Sequence, residues 1–236
     1  MNELAVQLQP TSRRRFKGAQ SLVSSSQFAK HLIVLFSDRD SLTQKENMGD
    51  ISTTANTLFA PLTVATAPEA SKPMLEKVQK SLGFIPNLMA IFANNATVLE
   101  GYLALGAVFE KGSFTPREKQ IILLAASVEN NCKYCAATHS QIAKTLLRTP
   151  AEVIAAVQNN TPVPDAKLNA LVALVRELVR ERGYAKEKTI QKFLAAGYKK
   201  EQVMELLLGI ALKTISNYLD HISPTPLDHA LAGESK

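Results

Sequence analysis

Apolar residues recur at three- and four-residue spacing along most of the chain from residue 68 onward, the pattern of helices that bury one face. Glycine, proline and asparagine residues separate these segments and mark helix ends and turns. Alternating runs of β-branched residues, which would indicate strands, are lacking. The pattern therefore predicts an all-α fold. One predicted helix carries the two cysteines and ends at residue 147. The others lie at residues 68–82, 84–92, 98–109, 120–128, 151–157, 168–182, 186–196 and 200–219.

Two of these segments have distinctive patterns. Thr115-Pro-Arg-Glu118 is a strong helix start, with threonine as cap and Glu118 completing a capping box, and the helix that follows is apolar on nearly every side. We expect that helix to be buried all round and to support the segment that follows it. The last helix has a predicted core stripe made of Val203, Leu206, Leu207, Ile210, Ala211 and Ile215.

Composition divides the chain into two parts. Residues 1–47 carry seven Lys or Arg and four Asp or Glu, which is half of the net charge of +6. Four acidic residues argue against a transit peptide, and the cluster Arg13–Arg15 has no basic stripe or aromatic platform behind it, so no nucleic-acid partner is expected. We predict a disordered or dispensable N-terminal extension at residues 1–50 and a single helical domain at 51–236.

Apolar content and cysteine usage narrow the class of protein further. The 236 residues are 46% hydrophobic, enough for a substantial core, but no run of eighteen apolar residues predicts a membrane span. The two cysteines form one close pair rather than a framework of disulfides, which favours a reducing compartment. We therefore expect a cytoplasmic protein.

The candidate chemistry lies in residues 129–140. Helical spacing would place Cys132, Cys135 and His139 on one face with Glu129 close by. Asn130 and Asn131 are good N-cap residues, and a helix starting there would put both cysteines at the positive end of its dipole. A thiol becomes reactive as a thiolate, and the dipole, the second thiol and a histidine base each favour ionisation. The segment thus predicts a redox-active dithiol.

Two other interpretations of the same residues remain open. Two buried structural thiols beside an unrelated histidine would have the same pattern. The second alternative is a zinc site with Cys132, Cys135 and His139 as ligands; structural zinc usually takes four ligands, and the chain has no further cysteine.

Residues 115–140 resemble the signature of the alkylhydroperoxidase D-like branch of the carboxymuconolactone decarboxylase superfamily, in the cysteine pair, the tyrosine between them and the trailing histidine. The resemblance is strongest over residues 115–140 and extends from about residue 67 to residue 228. It implies an all-helical, multi-helix orthogonal bundle, oligomeric as a trimer or a multiple of it. It also implies that Cys135 attacks a peroxide, that Cys132 resolves the sulfenic acid into a disulfide, and that His139 belongs to the proton relay.

The sequence departs from that signature at one position. Better-studied members begin the relay with a glutamate twelve residues before the first cysteine, and here that residue is Gln120, whose amide cannot shuttle protons. Glu129 is the best local replacement by spacing. An asparagine-tyrosine pair followed by histidine recurs near the end of the family domain, so Asn217 and His221 could approach the site or a subunit contact; a cationic His221 at a helix C-terminus is the simpler expectation.

The leading hypothesis is a thiol-dependent antioxidant enzyme that reduces hydroperoxides, or a protein disulfide, with no cofactor, no membrane and no nucleic acid. A thiol reductant, either a protein or a small molecule, would restore the dithiol. The alternatives are a helical metal-binding or interaction module using Cys132, Cys135 and His139, and a lactone decarboxylase, which the cysteine pair disfavours.

Overall fold

The computed structural model describes residues 58–228, so the predicted extension at residues 1–50 lies outside the described part. This part is all-helical, and none of its helices is long and apolar enough to cross a membrane. The predicted helices are all present. They are α1 (Lys72–Leu82), α2 (Asn87–Phe92), α3 (Ala96–Glu110), α4 (Pro116–Glu129), α5 (Lys133–Thr145), α6 (Ala151–Gln158), α7 (Ala166–Arg180), α8 (Glu187–Ala195) and α9 (Lys200–Ile222).

Helix α4 is the centre of the bundle. It starts at the predicted capping box: Thr115 Oγ1 accepts from the Glu118 backbone N–H at 3.2 Å, and Glu118 accepts from the Thr115 N–H at 2.9 Å. Residues 118–127 of the helix are all buried, and α5, α6, α7 and α9 pack around it. A helix covered on every side has little freedom to shift, so the turn that follows α4 is held firmly.

Helix α9 approaches α3 and α4 closely at Gly209. A Cβ atom at this position would lie 2.9 Å from Phe109 Cε2 and 3.0 Å from Ile122 Cγ2. Leu206 and Leu212, on the same side of the helix, are buried. The absence of a side chain at Gly209 thus allows the backbone of α9 to pack against Phe109 and Ile122.

The predicted core stripe of α9 is wrong in part. Leu206 is buried, but Leu207 is 50% exposed, Ile215 is 38% exposed and Ala211 is also exposed. Three- and four-residue spacing fits either side of a helix, and here the second half of α9 turns polar residues inward. The apolar stripe of α9 that faces outward consists of Met204, Leu207, Ala211, Ile215, Tyr218 and Ile222.

Replacing Gly209 with alanine tests the close packing of α9. We expect Gly209→Ala to lower the free energy of unfolding by about 1–3 kcal/mol, because the added methyl overlaps Phe109 and Ile122. Gly106→Ala is the matched control: it is also in a helix, but its Cβ would lie at an ordinary 3.9 Å from Leu212 Cδ1, so stability should stay unchanged or rise. Thermal melts of both variants check this, and equal melting temperatures would contradict it.

Candidate functional site

The turn between α4 and α5 places the two cysteines. Asn130 ends α4, Asn131 has φ 58° in the left-handed region, and Cys132 is the N-cap of α5. The Cys132 N–H donates back to Ser127 O at 3.0 Å, as in a helix C-terminus closed by a left-handed residue. The expectation that an asparagine caps α5 is therefore corrected: Asn131 helps to close α4, a conformation asparagine tolerates, and a cysteine takes the cap.

Both thiols are free and buried at this helix start. Cys132 Sγ accepts from the Cys135 N–H at 3.3 Å, and the two sulfurs also share a hydrogen bond. The hydrogen bond from Cys132, followed by the charge of Lys213, lowers the pKa of Cys135 to about 6, despite burial. The same shared bond and burial raise the pKa of Cys132. The pair therefore holds its first negative charge on Cys135.

His139 lies between two polar side chains. Its Nδ1 is 2.9 Å from Gln120 Oε1, and its Nε2 is 2.8 Å from Lys213 Nζ. Burial and then the charge of Lys213 hold the pKa of His139 well below its usual value, so the ring is neutral at neutral pH. Lys213 must donate to Nε2, which puts the ring proton on Nδ1, where it donates to Gln120. Both nitrogens are thus occupied, and the ring reaches the sulfurs through Lys213.

Lys213 is the first of three site residues on α9 that sequence reasoning missed, with Ser216 and Asp220. It is only 1% exposed, and besides its contact with His139 it hydrogen-bonds Cys135. Burial alone would lower its pKa, but the charges that Tyr102 and the cysteines carry when ionised outweigh burial and raise the pKa overall. Lys213 is consequently a buried ammonium group at neutral pH, adjacent to the sulfur that ionises first.

Glu129 does not take the relay position predicted for it. Its carboxylate accepts from Arg180 Nε at 2.8 Å and from Nη2 at 3.1 Å, and the partner of His139 is Gln120. Spacing along one continuous helix placed Glu129 beside Cys132, but the left-handed Asn131 separates α4 from α5 and breaks that register. Glu118, two residues before Gln120, is held at the start of α4 by Thr115 and by Tyr198 at 2.9 Å.

Helix α9 contributes more to the site than Lys213 alone. Ser216 Oγ lies 3.8 Å from Cys135 Sγ, Asn217 accepts from Asn130 Nδ2 at 3.0 Å, and Cys132 Sγ lies 3.2 Å from Asp220 Oδ2. Together these residues form the polar stripe of α9: Lys213, Ser216, Asn217 and Asp220. Their spacing of three, one and three residues is that of one helix face, a signal present in the sequence. His221 is exposed and takes no part in the site.

The segment after α9 forms hydrogen bonds with two residues next to the cysteine pair, Asp220 and Tyr134. Asp220 Oδ1 accepts from the Thr225 N–H at 3.0 Å, and Tyr134, between the two cysteines, donates to Asp228 Oδ2 at 2.5 Å. The other oxygen of Asp228 accepts from the Asn87 N–H at the start of α2. These contacts help to exclude water from the cysteine pair.

The zinc interpretation gains no support from the geometry. Within residues 58–228 no group of three or more His, Cys, Asp or Glu side chains is arranged to hold a metal ion. The nitrogens of His139 point to Gln120 and Lys213 rather than towards a ligand set shared with the sulfurs.

Comparison with known proteins supports this description of the fold. The model of the family described as "Carboxymuconolactone decarboxylase family" matches residues 98–177. The alkylhydroperoxidase AhpD core protein, peroxidase-related, from Ralstonia eutropha JMP134 superposes with a TM-score of 0.66 at 19% identity, over 74% of this chain and 94% of its own. A peroxidase-related protein from Silicibacter sp. TM1040 gives 0.64 at 17% identity, over 76% and 97%.

A further similar structure is the debrominase Bmp8, with a TM-score of 0.61 at 20% identity, over 75% of this chain and 95% of its own. At these identities the likeness shows the fold. No curated protein matches the chain significantly. The family match and the shared fold together confirm the resemblance predicted from residues 115–140.

The unequal thiols predict a split titration. Followed by the ultraviolet absorbance of the thiolate, one of the two thiols should ionise with a midpoint near pH 6 and the other should stay protonated through the neutral range. Reactivity towards alkylating reagents should accordingly fall as the pH drops through that midpoint. Glu129→Gln should leave the curve unchanged, because Arg180 holds that carboxylate away from His139. A wild-type curve with no ionisation below the usual cysteine range would contradict the assignment.

Proposed function

Since residues 98–177 match the model of the carboxymuconolactone decarboxylase family and the chain has the alkylhydroperoxidase D-like fold, we propose that it is a thiol-dependent peroxidase. Cys132 and Cys135 cycle between dithiol and disulfide, with hydroperoxides as the substrate. The observation that carries this proposal is the buried pair itself, in which Cys135 is favoured as the thiolate while Cys132 keeps its proton. An attacking sulfur and a resolving sulfur require this asymmetry.

The proposed reaction has two steps on the enzyme. The Cys135 thiolate attacks the terminal peroxide oxygen, the O–O bond breaks, and the alkoxide takes up a proton and leaves as an alcohol. The sulfur of Cys132 then attacks the sulfenic acid on Cys135, and the S–O bond breaks. The hydroxide leaves as water with the proton that Cys132 gives up. Two electrons pass from the pair to the peroxide, and an external dithiol, itself oxidised to a disulfide, restores the cysteines.

His139 takes part in proton transfer through Lys213. Because Lys213 contacts both His139 Nε2 and Cys135, protons can pass between the ring and the sulfur by way of the ammonium group. Gln120 fixes the orientation of the ring but accepts no proton, so in this chain the relay ends at His139. This distinguishes the proposed relay from one that ends on a carboxylate.

The chain is further proposed to work as a homo-oligomer, a trimer or a multiple of it. The apolar stripe of α9 supports this, since Met204 is 72% exposed, Tyr218 55% and Ile222 57%. Its spacing of three and four residues is that of helices that pair along a seam. A second copy of the chain would cover side chains that otherwise face water.

Loss of free thiols tests the peroxidase proposal. Wild type should lose two thiols per chain when treated with one equivalent of hydroperoxide, and Cys135→Ser should slow peroxide consumption by more than about 100-fold, because the attacking sulfur is gone. Cys132→Ser should still react once but should stop at a sulfenic acid that dimedone captures.

Equal peroxide consumption by wild type and Cys135→Ser would contradict the proposal. Turnover of a lactone, or of a brominated aromatic substrate, by a wild-type enzyme that leaves hydroperoxides intact would favour the decarboxylase or dehalogenase chemistry found among proteins of this family or fold. Near-stoichiometric metal in protein purified without added zinc would favour a metal-binding module.

Sedimentation measures the oligomer directly. The double variant Leu207→Glu, Ile215→Glu should fall to the mass of one chain, 25.7 kDa, because two charges would be buried in the seam. Tyr184→Glu is the control, since Tyr184 is 85% exposed in the loop between α7 and α8, and a charge there should leave the mass unchanged. A wild-type protein that sediments as one chain at micromolar concentration would contradict the proposed oligomer.

A further inference from the structure

The polar stripe of α9 carries two opposite charges, and each lies beside a different cysteine. Lys213 and Asp220 are seven residues apart, two turns of the helix, with Ser216 and Asn217 between them. The ammonium group of Lys213 hydrogen-bonds Cys135, and Asp220 Oδ2 lies 3.2 Å from Cys132 Sγ. The two sulfurs are therefore in unequal electrostatic surroundings supplied by one rigid element.

Asp220 is fixed in place by a second contact. Its Oδ1 accepts from the Thr225 N–H at 3.0 Å, and its Oδ2 faces Cys132 Sγ at 3.2 Å. A carboxylate at this distance favours a thiol over a thiolate, because it repels the negative charge of a thiolate. Asp220 thus favours the protonated form of Cys132, whereas Lys213 favours the ionised form of Cys135.

We propose that Lys213 and Asp220 form a charge pair that decides which cysteine attacks and which resolves: Lys213 holds Cys135 as the nucleophile, and Asp220 holds Cys132 as the protonated partner. This assignment rests on the proposed function and adds to it the residues that set the order of the two steps. The burial of Lys213 strengthens the effect, since charges interact more strongly where water is excluded.

The same pair has a defined part in the second step. Once Cys135 carries a neutral sulfenic acid, its negative charge is gone and Cys132 loses the acceptor that the thiolate offered. The Cys132 proton then passes to Asp220 as the sulfur attacks Cys135, and the S–O bond breaks to release hydroxide. That proton returns from Asp220 to the hydroxide, directly or through solvent, so the step yields one disulfide and one water.

The other titratable groups around this pair lie on α3, on α5 with its N-cap, and in the segment after α9. They are His139 and Tyr134 on α5, Tyr102 on α3, the two cysteines themselves, and Asp228 in the segment after α9. His139 is neutral at neutral pH, and Tyr134 is hydrogen-bonded to Asp228 and keeps its proton. Lys213 and Asp220 are therefore the charged groups in direct contact with the two sulfurs among the described residues.

Thiolate titrations in variants that keep one cysteine isolate the effect of each charged residue on the neighbouring thiol. In Cys135→Ser, where only Cys132 can ionise, adding Asp220→Asn should lower the thiol midpoint by at least about one pH unit, a tenfold gain in thiolate. In Cys132→Ser, where only Cys135 ionises, adding Lys213→Met should raise the midpoint by a similar amount. Asparagine keeps an oxygen for the Thr225 N–H, and methionine is unbranched and only one heavy atom shorter than the buried lysine, so both variants keep most of the packing.

The control is Glu205→Gln in each background, which removes a carboxylate of α9 that accepts from the Ser113 N–H, away from the cysteines. It should leave both midpoints unchanged. The assignment is overturned if Asp220→Asn leaves the Cys132 midpoint where it was or raises it, or if Lys213→Met does not raise the Cys135 midpoint. The Asp220→Asn and Lys213→Met titrations are independent tests. If one variant fails to fold, the other titration still decides whether the assignment holds.

A second measurement tests whether the charge pair determines which cysteine attacks the peroxide. With both cysteines present, dimedone should label Cys135 in wild type after brief treatment with hydroperoxide, and a substantial share of the label should appear on Cys132 in Asp220→Asn. The titrations use no peroxide, so they separate this inference from the proposed function. If the midpoints shift as expected while wild type consumes no hydroperoxide, the charge pair stands and the peroxidase proposal fails.

Discussion

The hydrogen bond between the two buried sulfurs, with a lysine ammonium beside one of them, is the interaction on which the rest of the site depends. A thiolate removed from water is costly unless donors and an opposite charge compensate it. Cys132, Lys213, Ser216 and Asn217 supply that compensation around Cys135. A charge stabilised in this way is also available to react, because the compensating groups are already in place before any substrate arrives.

The fold explains how this arrangement is maintained. Helix α4 is buried on every side and fixes the turn that carries Cys132, while Gly209 lets α9 pack closely against α3 and α4. Helix α9 then presents its polar stripe to the cysteines, and His139 holds the lysine from the other side through a ring that Gln120 orients. Burying an unpaired ammonium group would cost several kcal/mol, so the contacts of Lys213 with His139 and Cys135 are what allow a charged lysine at this buried position.

Much of the fold follows from local sequence, and less of the site does. The helix at 115–128 was predictable because a capping box and an uninterrupted apolar run point to the same structure. One short motif singled out Cys132, Cys135, His139 and Gln120, and in the structure the His139 ring contacts Gln120, the position from which that motif begins its relay. Glu129 was misplaced because nothing in a helical spacing rule reveals the left-handed residue at Asn131. Lys213 and Asp220 lie some eighty residues away in sequence from the cysteines, and only the packing of α9 reveals the contact.

The central claim, that the cysteine pair itself reduces hydroperoxides, is tested most directly by mapping the peptides of wild type after one equivalent of hydroperoxide and one turnover. The account predicts a disulfide joining Cys132 to Cys135, with one molecule of the corresponding alcohol released per chain. Unmodified cysteines with the hydroperoxide left intact, or Cys135 oxidised to a sulfinic acid while Cys132 remains a free thiol, would contradict it.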